Sequence, residues 1–184
     1  MENNITTLIL EAKGGNTVAF HKLVSYHDER IMTLALQLTR DKQDAEDLYQ
    51  EVFMKAYKAI GSFRLESEFF TWLYRITVNS FYDLQRKASR IQKQESLAPE
   101  KDSTHDIADD SIPSAEKEEI QHAVTNALNQ LPTQQKTAFV MKHYEGLKIR
   151  EIATIMNLSD GTVKRYLFRA IEKLRPMLKE YRYA

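Results

Sequence analysis

The sequence contains no cysteine, only five glycines and only four prolines, at positions 99, 113, 132 and 176. Without cysteine the chain has no disulfide framework and no thiolate to bind a metal or attack a substrate, which fits a reducing compartment. Its histidines, at positions 21, 27, 105, 122 and 143, have no metal-ligand spacing, and no carboxylate cluster lies near a nucleophile. We therefore expect no cofactor, no metal and no enzyme active site.

Long apolar runs are also missing from the sequence. The longest are only a few residues, too short for the hydrophobic region of a signal peptide or for a membrane-spanning helix. The sequence therefore predicts a cytoplasmic protein without membrane insertion.

The net charge is zero over the 184 residues, but the charges are unevenly distributed. Residues 116–184 contain 12 Lys and Arg against 8 Asp and Glu, residues 93–115 contain 2 against 6, and residues 1–92 contain 12 against 12. The acidic segment has no aromatic residue, and such a composition cannot bury enough apolar surface to fold. We predict that residues 93–115 form a flexible acidic linker between two domains, 1–92 and 116–184. A plain spacer whose acidity has no role is an equal alternative.

Helical periodicity predicts an all-α fold with two small helical domains. In the first domain we predict a helix from Ile5 to Lys13, a second helix capped by Thr17, and a third capped by Asp41 that ends before Gly61. The buried stripe of the third helix is predicted to contain Ala45, Leu48, Tyr49, Val52, Phe53, Ala56 and Ile60. Its opposite face carries Asp44, Asp47, Glu51 and Lys58, with Gln50 and Glu46 to one side. This acidic face is either a solvated surface or a partner surface, and its chemistry alone favours neither.

Residues 63–90 combine aromatic side chains with arginine and lysine. Aromatic rings stack on unpaired bases and cations bind phosphates, so this mixture favours binding to single-stranded DNA. The alternative is that aromatic residues at helical spacing form the core, and we favour that alternative for Phe69 and Trp72.

Residues 147–175 have the pattern of a helix-turn-helix. Apolar residues recur at helical spacing in the first helix, Asn157 tolerates the left-handed backbone of a sharp turn, and Ser159 or Asp160 can cap the second helix. The apolar face of the second helix is predicted to contain Val163, Leu167, Ala170, Ile171 and Leu174. The opposite side holds Arg165, Arg169 and Glu172, with Lys164, Phe168 and Lys173 on the flanks. Such a helix fits a DNA major groove, and the alternative is an ordinary amphipathic surface helix.

Several motifs occur in an order that is specific to one family. They are Ala19-Phe20, DAEDLYQEVF from Asp44 to Phe53, FRLESEFFTWLYRITVN from Phe63 to Asn79, Asp83 with Arg86, and GTVKRYLFRAIEKLR from Gly161 to Arg175. With these motifs the chain resembles the extracytoplasmic-function sigma factors, the small two-domain class of bacterial RNA polymerase specificity subunits. The resemblance covers most of both predicted domains.

The resemblance implies an alternative sigma factor whose partners are core RNA polymerase, promoter DNA and an anti-sigma factor. Contact with the clamp helices of the polymerase β′ subunit is implied for Asp44, Asp47, Gln50 and Glu51. Capture of a flipped base of the −10 element, together with contacts to the adjacent DNA, is implied for Arg64, Glu66, Ser67, Asn79, Arg86 and Lys87. Recognition of the −35 element is implied for Thr162, Lys164, Arg165, Arg169 and Lys173. The second domain would also contact the polymerase β flap, and the acidic linker would pass through the RNA exit path.

Three departures from the family pattern bear on this expectation. Leu65 stands where a glycine is common, Arg165 and Tyr166 stand where Ser and Arg are common, and Ser159 stands where a proline is common. The promoter sequence therefore does not carry over from the family. The main alternative is a helix-turn-helix regulator that binds duplex DNA as a dimer without polymerase. A sigma-like adaptor without promoter activity is a further alternative.

Overall fold

The computed structural model describes residues 2–95 and 115–183. The chain divides between residues 98 and 99 into two compact units. Within the described residues every regular element is helical, so the predicted all-α fold is confirmed. Most of the predicted flexible linker, residues 96–114, lies outside the described residues. None of the described helices is long and apolar enough to cross a membrane.

The described part of the first unit, residues 2–95, contains four α-helices and a short 3₁₀ turn. These elements are α1 (Glu2–Lys13), α2 (Thr17–Thr39), α3 (Lys42–Ala59), the turn Ile60–Ser62 and α4 (Phe69–Glu95). Helix α2 packs against α1, α3 and α4, so it lies at the centre of the unit. Four residues on its apolar side are completely buried, namely Leu23, Ile31, Leu34 and Leu38.

The capping residue of α2 differs from the prediction. Asn16, and not Thr17, precedes the helix, and its side chain accepts a hydrogen bond from the Ala19 N–H at 3.1 Å. Thr17 is already the first helical residue, so its backbone cannot take the extended conformation that a cap requires. The predicted cap of α3 is confirmed, because Asp41 accepts from the Asp44 N–H at 2.8 Å.

The buried stripe of α3 is narrower than predicted. Ala45, Leu48, Val52 and Ala56 are buried along the helix, but Tyr49 and Phe53 are only half-buried. The two rings pack edge to face with centroids 4.8 Å apart at the margin of the stripe. The Tyr49 hydroxyl donates a hydrogen bond to Asp28 on α2, and burial followed by this bond raises the pKa of Tyr49 to about 12. A hydroxyl that reaches the surface explains why this position is not fully buried.

Over residues 115–183, the second unit contains four α-helices followed by a 3₁₀ turn. Its elements are α5 (Ala115–Asn129), α6 (Thr133–His143), α7 (Ile149–Met156), α8 (Asp160–Met177) and the turn Glu180–Tyr183. Helix α8 contacts α5, α6 and α7, and is thus the central helix of the unit. Its buried residues Ala170 and Leu174 pack with Leu128 and Leu131 in one cluster.

Candidate nucleic-acid interfaces

Helices α7 and α8 form the predicted helix-turn-helix. Asn157 ends α7 in the left-handed conformation, with φ 54° and ψ 50°. The Leu158 N–H then donates to the Ala153 carbonyl at 2.9 Å, which closes the turn. Ser159 caps α8, because its Oγ accepts a hydrogen bond from the Thr162 N–H at 3.2 Å. These contacts fix the direction in which α8 leaves the turn.

The polar side of α8 is exposed, as the helical projection predicts. The side chains of Lys164, Arg165, Arg169 and Lys173 are all exposed. Thr162 is half-buried, and its hydroxyl is 2.9 Å from the Ser159 hydroxyl. The four basic candidates for −35 recognition are therefore open to solvent, with Arg165 and Arg169 one turn apart opposite the apolar face and Lys164 and Lys173 on its two flanks.

Three residues of α8 differ from the sequence interpretation or add to it. Ile171 was predicted to be on the apolar face, but it is 39% exposed, so this prediction is wrong. Phe168 is 63% exposed, the largest exposed fraction among the large hydrophobic residues described. Tyr166 donates a hydrogen bond from its hydroxyl to Gln134 Oε1 on α6 at 2.6 Å. Tyr166 thus fixes α8 to a neighbouring helix, a role that its place in the sequence did not reveal.

The acidic face of α3 is a continuous exposed surface on the first unit. Asp44, Asp47 and Gln50 are exposed, and Glu51 is half-buried on the same side. Burial, followed by the charges of Asp41 and Asp47, raises the pKa of Asp44. The contribution from the two neighbouring carboxylates means that a cation at this surface would be stabilised.

Lys55 connects this acidic face to α4. Its Nζ is 2.6 Å from Glu51 Oε1 on the same helix and 3.4 Å from Asp83 Oδ2 on α4. Asp83 in turn accepts a hydrogen bond from Arg86. The ion pair between Glu51 and Lys55 follows from their spacing of one helical turn. The contact between Lys55 and Asp83 joins two helices and could not be read from the sequence.

The segment between Phe63 and α4 is a short exposed loop with fixed ends. The Phe63 ring is buried, with ring centroids 5.8 Å from Phe69 and 5.0 Å from Trp72. The Phe63 carbonyl accepts a hydrogen bond from Lys13 on α1, which the sequence analysis missed. Leu65 has a left-handed φ of 59°, so it adopts the conformation for which glycine is better suited.

The side chains of this loop are open to solvent. Arg64 and Glu66 are both exposed and form a loose ion pair at 4.0 Å, while Ser67 is half-buried. Phe69 is buried and Trp72 half-buried against it, which agrees with their predicted role in packing. The loop therefore presents polar groups to solvent, while the rings of Phe69 and Trp72 pack against Phe63 at its start.

The remaining −10 candidates lie on α4. Asn79, Arg86 and Lys87 are exposed, and their spacing along the helix places them on one side of it. Arg86 is held by Asp83 three residues earlier. At the start of α4, Arg30 of α2 stacks over the Phe70 ring at 4.2 Å, a cation–π contact that links α2 to α4. Among the described residues no group of His, Asp and Glu is arranged to hold a metal ion.

Family models match both units. The model of sigma-70 region 2 matches residues 23–91, and the model of sigma-70 region 4 matches residues 121–174. The first match includes the acidic face of α3, the loop and most of α4. The second includes α7 and α8 up to residue 174. These two matches place the chain in the class of sigma-70-type proteins.

Relatives of similar length narrow this class. The RNA polymerase sigma-H factor of Pseudomonas aeruginosa is 34% identical over 94% of this chain and 95% of its own. The ECF RNA polymerase sigma-E factor of Haemophilus influenzae is 35% identical over 93% and 95%. The ECF RNA polymerase sigma factor SigW of Bacillus subtilis is 31% identical over 98% and 100%. The chain belongs to the extracytoplasmic-function family of RNA polymerase sigma factors.

Two solved structures have the same fold. CnrH in complex with the cytosolic domain of CnrY has a TM-score of 0.69 and 25% identity, covering 96% of this chain and 98% of that one. The sigma factor RpoE from Bartonella quintana, in complex with the anti-sigma factor NepR, has a TM-score of 0.70 and 26% identity, covering 87% and 96%.

Proposed function

We propose that this protein is an alternative sigma factor that binds core RNA polymerase and directs it to a particular set of promoters. The observation that carries this proposal is the presence, in one chain of the family, of an exposed acidic helix face in the first unit and an exposed basic helix-turn-helix in the second. Its role is to bind and position, and it catalyses no reaction itself. Because it acts with the polymerase, we place it in the cytoplasm.

The polymerase-binding surface is the acidic face of α3. This face contacts the clamp helices of the β′ subunit through Asp44, Asp47, Gln50 and Glu51. The three carboxylates there meet cationic side chains of the polymerase. The crowding of carboxylates on α3 supports this assignment: burial is the largest cause of the raised pKa of Asp44, and the charges of Asp41 and Asp47 add a repulsion that a cationic partner would relieve. The second unit contacts the β flap.

The −10 element is read by the loop before α4 and by α4 itself. Arg64, Glu66, Ser67 and Asn79 capture a base that has left the duplex, since only an unpaired base exposes its hydrogen-bonding edge to such a loop. Arg86 and Lys87 hold the neighbouring phosphates, whose recognition is independent of sequence. The fixed ends of the loop support this role because a preformed site captures a base at lower entropic cost.

The −35 element is read by α8 in the major groove. Arg165 and Arg169 are one turn apart and bind base edges, with guanine as the preferred partner because arginine can bridge its O6 and N7. Thr162, Lys164 and Lys173 lie at the start of the helix and on its flanks and contact phosphates. A guanine in the −35 element is therefore expected.

An anti-sigma factor is a further expected partner. One of the two solved relatives is bound to a protein described as an anti-sigma factor, and the other to the cytosolic domain of CnrY. We propose that a protein of the anti-sigma class covers the polymerase-binding or DNA-binding surfaces of this chain until an inducing signal releases it.

Charge reversal on α3 tests the proposed function. Asp47→Lys is expected to weaken binding to core RNA polymerase by about tenfold or more, because it places like charges together at an interface. Glu29→Lys is the matched control, since it makes the same charge change at an exposed position on α2. Binding is measured by anisotropy of the labelled full chain titrated with core enzyme.

The same experiment separates the proposed function from its main alternative. If both variants bind the core enzyme as the wild type does, the α3 assignment is wrong. A gel shift without polymerase provides the second comparison. Tight binding to a palindromic duplex, by a dimer and without core enzyme, would indicate a helix-turn-helix regulator instead.

A further inference from the structure

A single lysine joins the acidic face of α3 to the helix that carries Arg86. Lys55 Nζ contacts Glu51 Oε1 at 2.6 Å within α3, and on α4 it contacts Asp83 Oδ2 at 3.4 Å. It also donates a hydrogen bond at 3.0 Å to the hydroxyl of Ser80, which is completely buried. Lys55 is therefore anchored to α4 by a buried hydroxyl while its charge faces two carboxylates.

Asp83 is shared between two cations. Its Oδ2 faces Lys55, and its Oδ1 accepts a hydrogen bond from Arg86. The hydrogen bond from Arg86 is the largest cause that lowers the pKa of Asp83, and Lys55 adds to it against the effect of burial. Burial lowers the pKa of Lys55, but Glu51 and then Asp83 outweigh it and leave that pKa raised. The charges of Glu51, Lys55, Asp83 and Arg86 thus form one alternating series.

The members of this series can exchange partners. The side chains of Lys55, Glu51 and Asp83 are 42%, 43% and 48% exposed. Ion pairs at this exposure are individually weak, so a competing charge can replace either partner. A cation that binds Glu51 removes one partner of Lys55, whose charge then acts on Asp83 alone. Asp83 in turn holds Arg86 less strongly.

We propose that Lys55 is a positioning residue that couples polymerase binding at Glu51 to DNA binding at Arg86. In the free protein Asp83 restrains Arg86. When the polymerase binds Glu51, Lys55 neutralises Asp83 and Arg86 is released to a DNA phosphate. This inference rests on the proposed function, which assigns Glu51 to the polymerase and Arg86 to DNA. Its effect on DNA affinity is about twofold to fivefold, as expected for exposed charge pairs.

The salt dependence of DNA binding measures this coupling, because log affinity falls as log salt rises, and each phosphate contact makes this fall steeper by about 0.7 for a single strand. The steepness of the fall is called the slope below. Holoenzyme is assembled from the full chain and core RNA polymerase. It is titrated with a fluorescent single-stranded DNA of mixed sequence at several salt concentrations. Mixed sequence is sufficient because phosphate contacts do not depend on the bases.

Removal of the Lys55 charge is the central perturbation. Lys55→Met is expected to lower the slope of the holoenzyme by up to about 0.7, the contribution of one complete phosphate contact, because Asp83 then retains Arg86. Lys55→Arg keeps the charge and should keep the wild-type slope. The double variant Lys55→Met with Asp83→Asn should recover it, because Arg86 is then unrestrained. Lys58→Met, which removes an exposed lysine from the same helix, is the control for a general loss of charge.

Two comparisons distinguish the coupling from the proposed function. In the free protein, wild type and Lys55→Met should have equal slopes, because Asp83 restrains Arg86 in both. If Arg86→Ala lowers the slope of the holoenzyme but Lys55→Met does not, the coupling is wrong and the DNA role of Arg86 stands. If Arg86→Ala also has no effect, the assignment of Arg86 to DNA fails and the coupling fails with it. A loss in Lys55→Met that Asp83→Asn does not restore would also overturn the proposal.

Discussion

Replacement of Leu65 by glycine and by alanine tests whether the loop before α4 is strained. Leu65 has a φ of 59°, and this left-handed conformation costs a residue with a Cβ about 1–2 kcal/mol. Both replacements remove the Leu65 side chain beyond Cβ, and because Leu65 is 42% exposed the Cβ that alanine keeps adds little packing. The difference between them therefore isolates the backbone.

The expected difference follows from two opposing contributions. Glycine avoids the conformational cost of about 1–2 kcal/mol. It also loses more chain entropy on folding than alanine, a penalty of about 0.5–1 kcal/mol. The first contribution exceeds the second, so Leu65→Gly should be more stable than Leu65→Ala by roughly 0.5–1 kcal/mol. At an ordinary helical position the order is reversed.

Urea unfolding followed by tryptophan fluorescence measures this difference. Trp72 is the only tryptophan, and its ring centroid lies 5.0 Å from that of Phe63, so its signal reports on the first unit. With an m-value of about 1–1.5 kcal/mol per M, the glycine variant should have a midpoint about 0.5 M higher. Leu10, which is 55% exposed in α1, is the control position, where alanine should be more stable. If glycine is also the less stable replacement at position 65, the loop is not strained as argued.

Two further predictions concern pH and promoter choice. Burial, followed by the charge of Arg30, lowers the pKa of His27 from 6.5. The unfolded chain therefore binds this proton more tightly, and the stability of the first unit should fall as the pH falls through about 6.5. Urea midpoints at pH 7.5 and 5.5 should show a smaller fall in His27→Gln than in His21→Gln, which changes an exposed histidine; equal falls would contradict this. We predict that Phe168, which is 63% exposed on α8, contacts a thymine methyl group of the −35 element. Phe168→Ala should therefore lower the preference for thymine at one −35 position in a selection from randomised promoters, whereas an unchanged selection would exclude the contact.

Local signals predicted most of the helices and the turn. Asp41 caps its helix as predicted, and of the two candidates Ser159 and Asp160 the first caps α8. Such caps can be predicted because they depend only on the next three residues. Asn157 adopts the left-handed conformation that its short polar side chain tolerates. The α2 cap was misassigned because Asn16 and Thr17 are both good caps. The choice between them depends on where the preceding turn ends. It ends at Gly15, which has a φ of 92°, so the next residue, Asn16, is the cap.

The errors on helix faces have a different cause. Ile171 lies near the edge of the apolar stripe of α8, roughly 70° from its centre at 100° per residue. Periodicity predicts the centre of a stripe well, but burial at its edge depends on whether another helix covers it. Tyr49 and Phe53 occupy the corresponding edge of α3. Their partial exposure follows from the packing of α2 and α4, which the α3 sequence does not describe.

The sequence by itself determined the all-α class, the polar face of α3, the helix-turn-helix and the family. Each of these depends on residues within a few positions of one another, or on motifs whose order survives in the linear chain. Only the tertiary structure decided that Lys55 meets Asp83, that Lys13 holds the Phe63 carbonyl and that Tyr166 bonds to Gln134. Such contacts join residues 28, 50 and 32 positions apart. Which partners meet across that distance is set by how the helices pack, because side-chain reach is short and helix orientation selects the few groups that come within it.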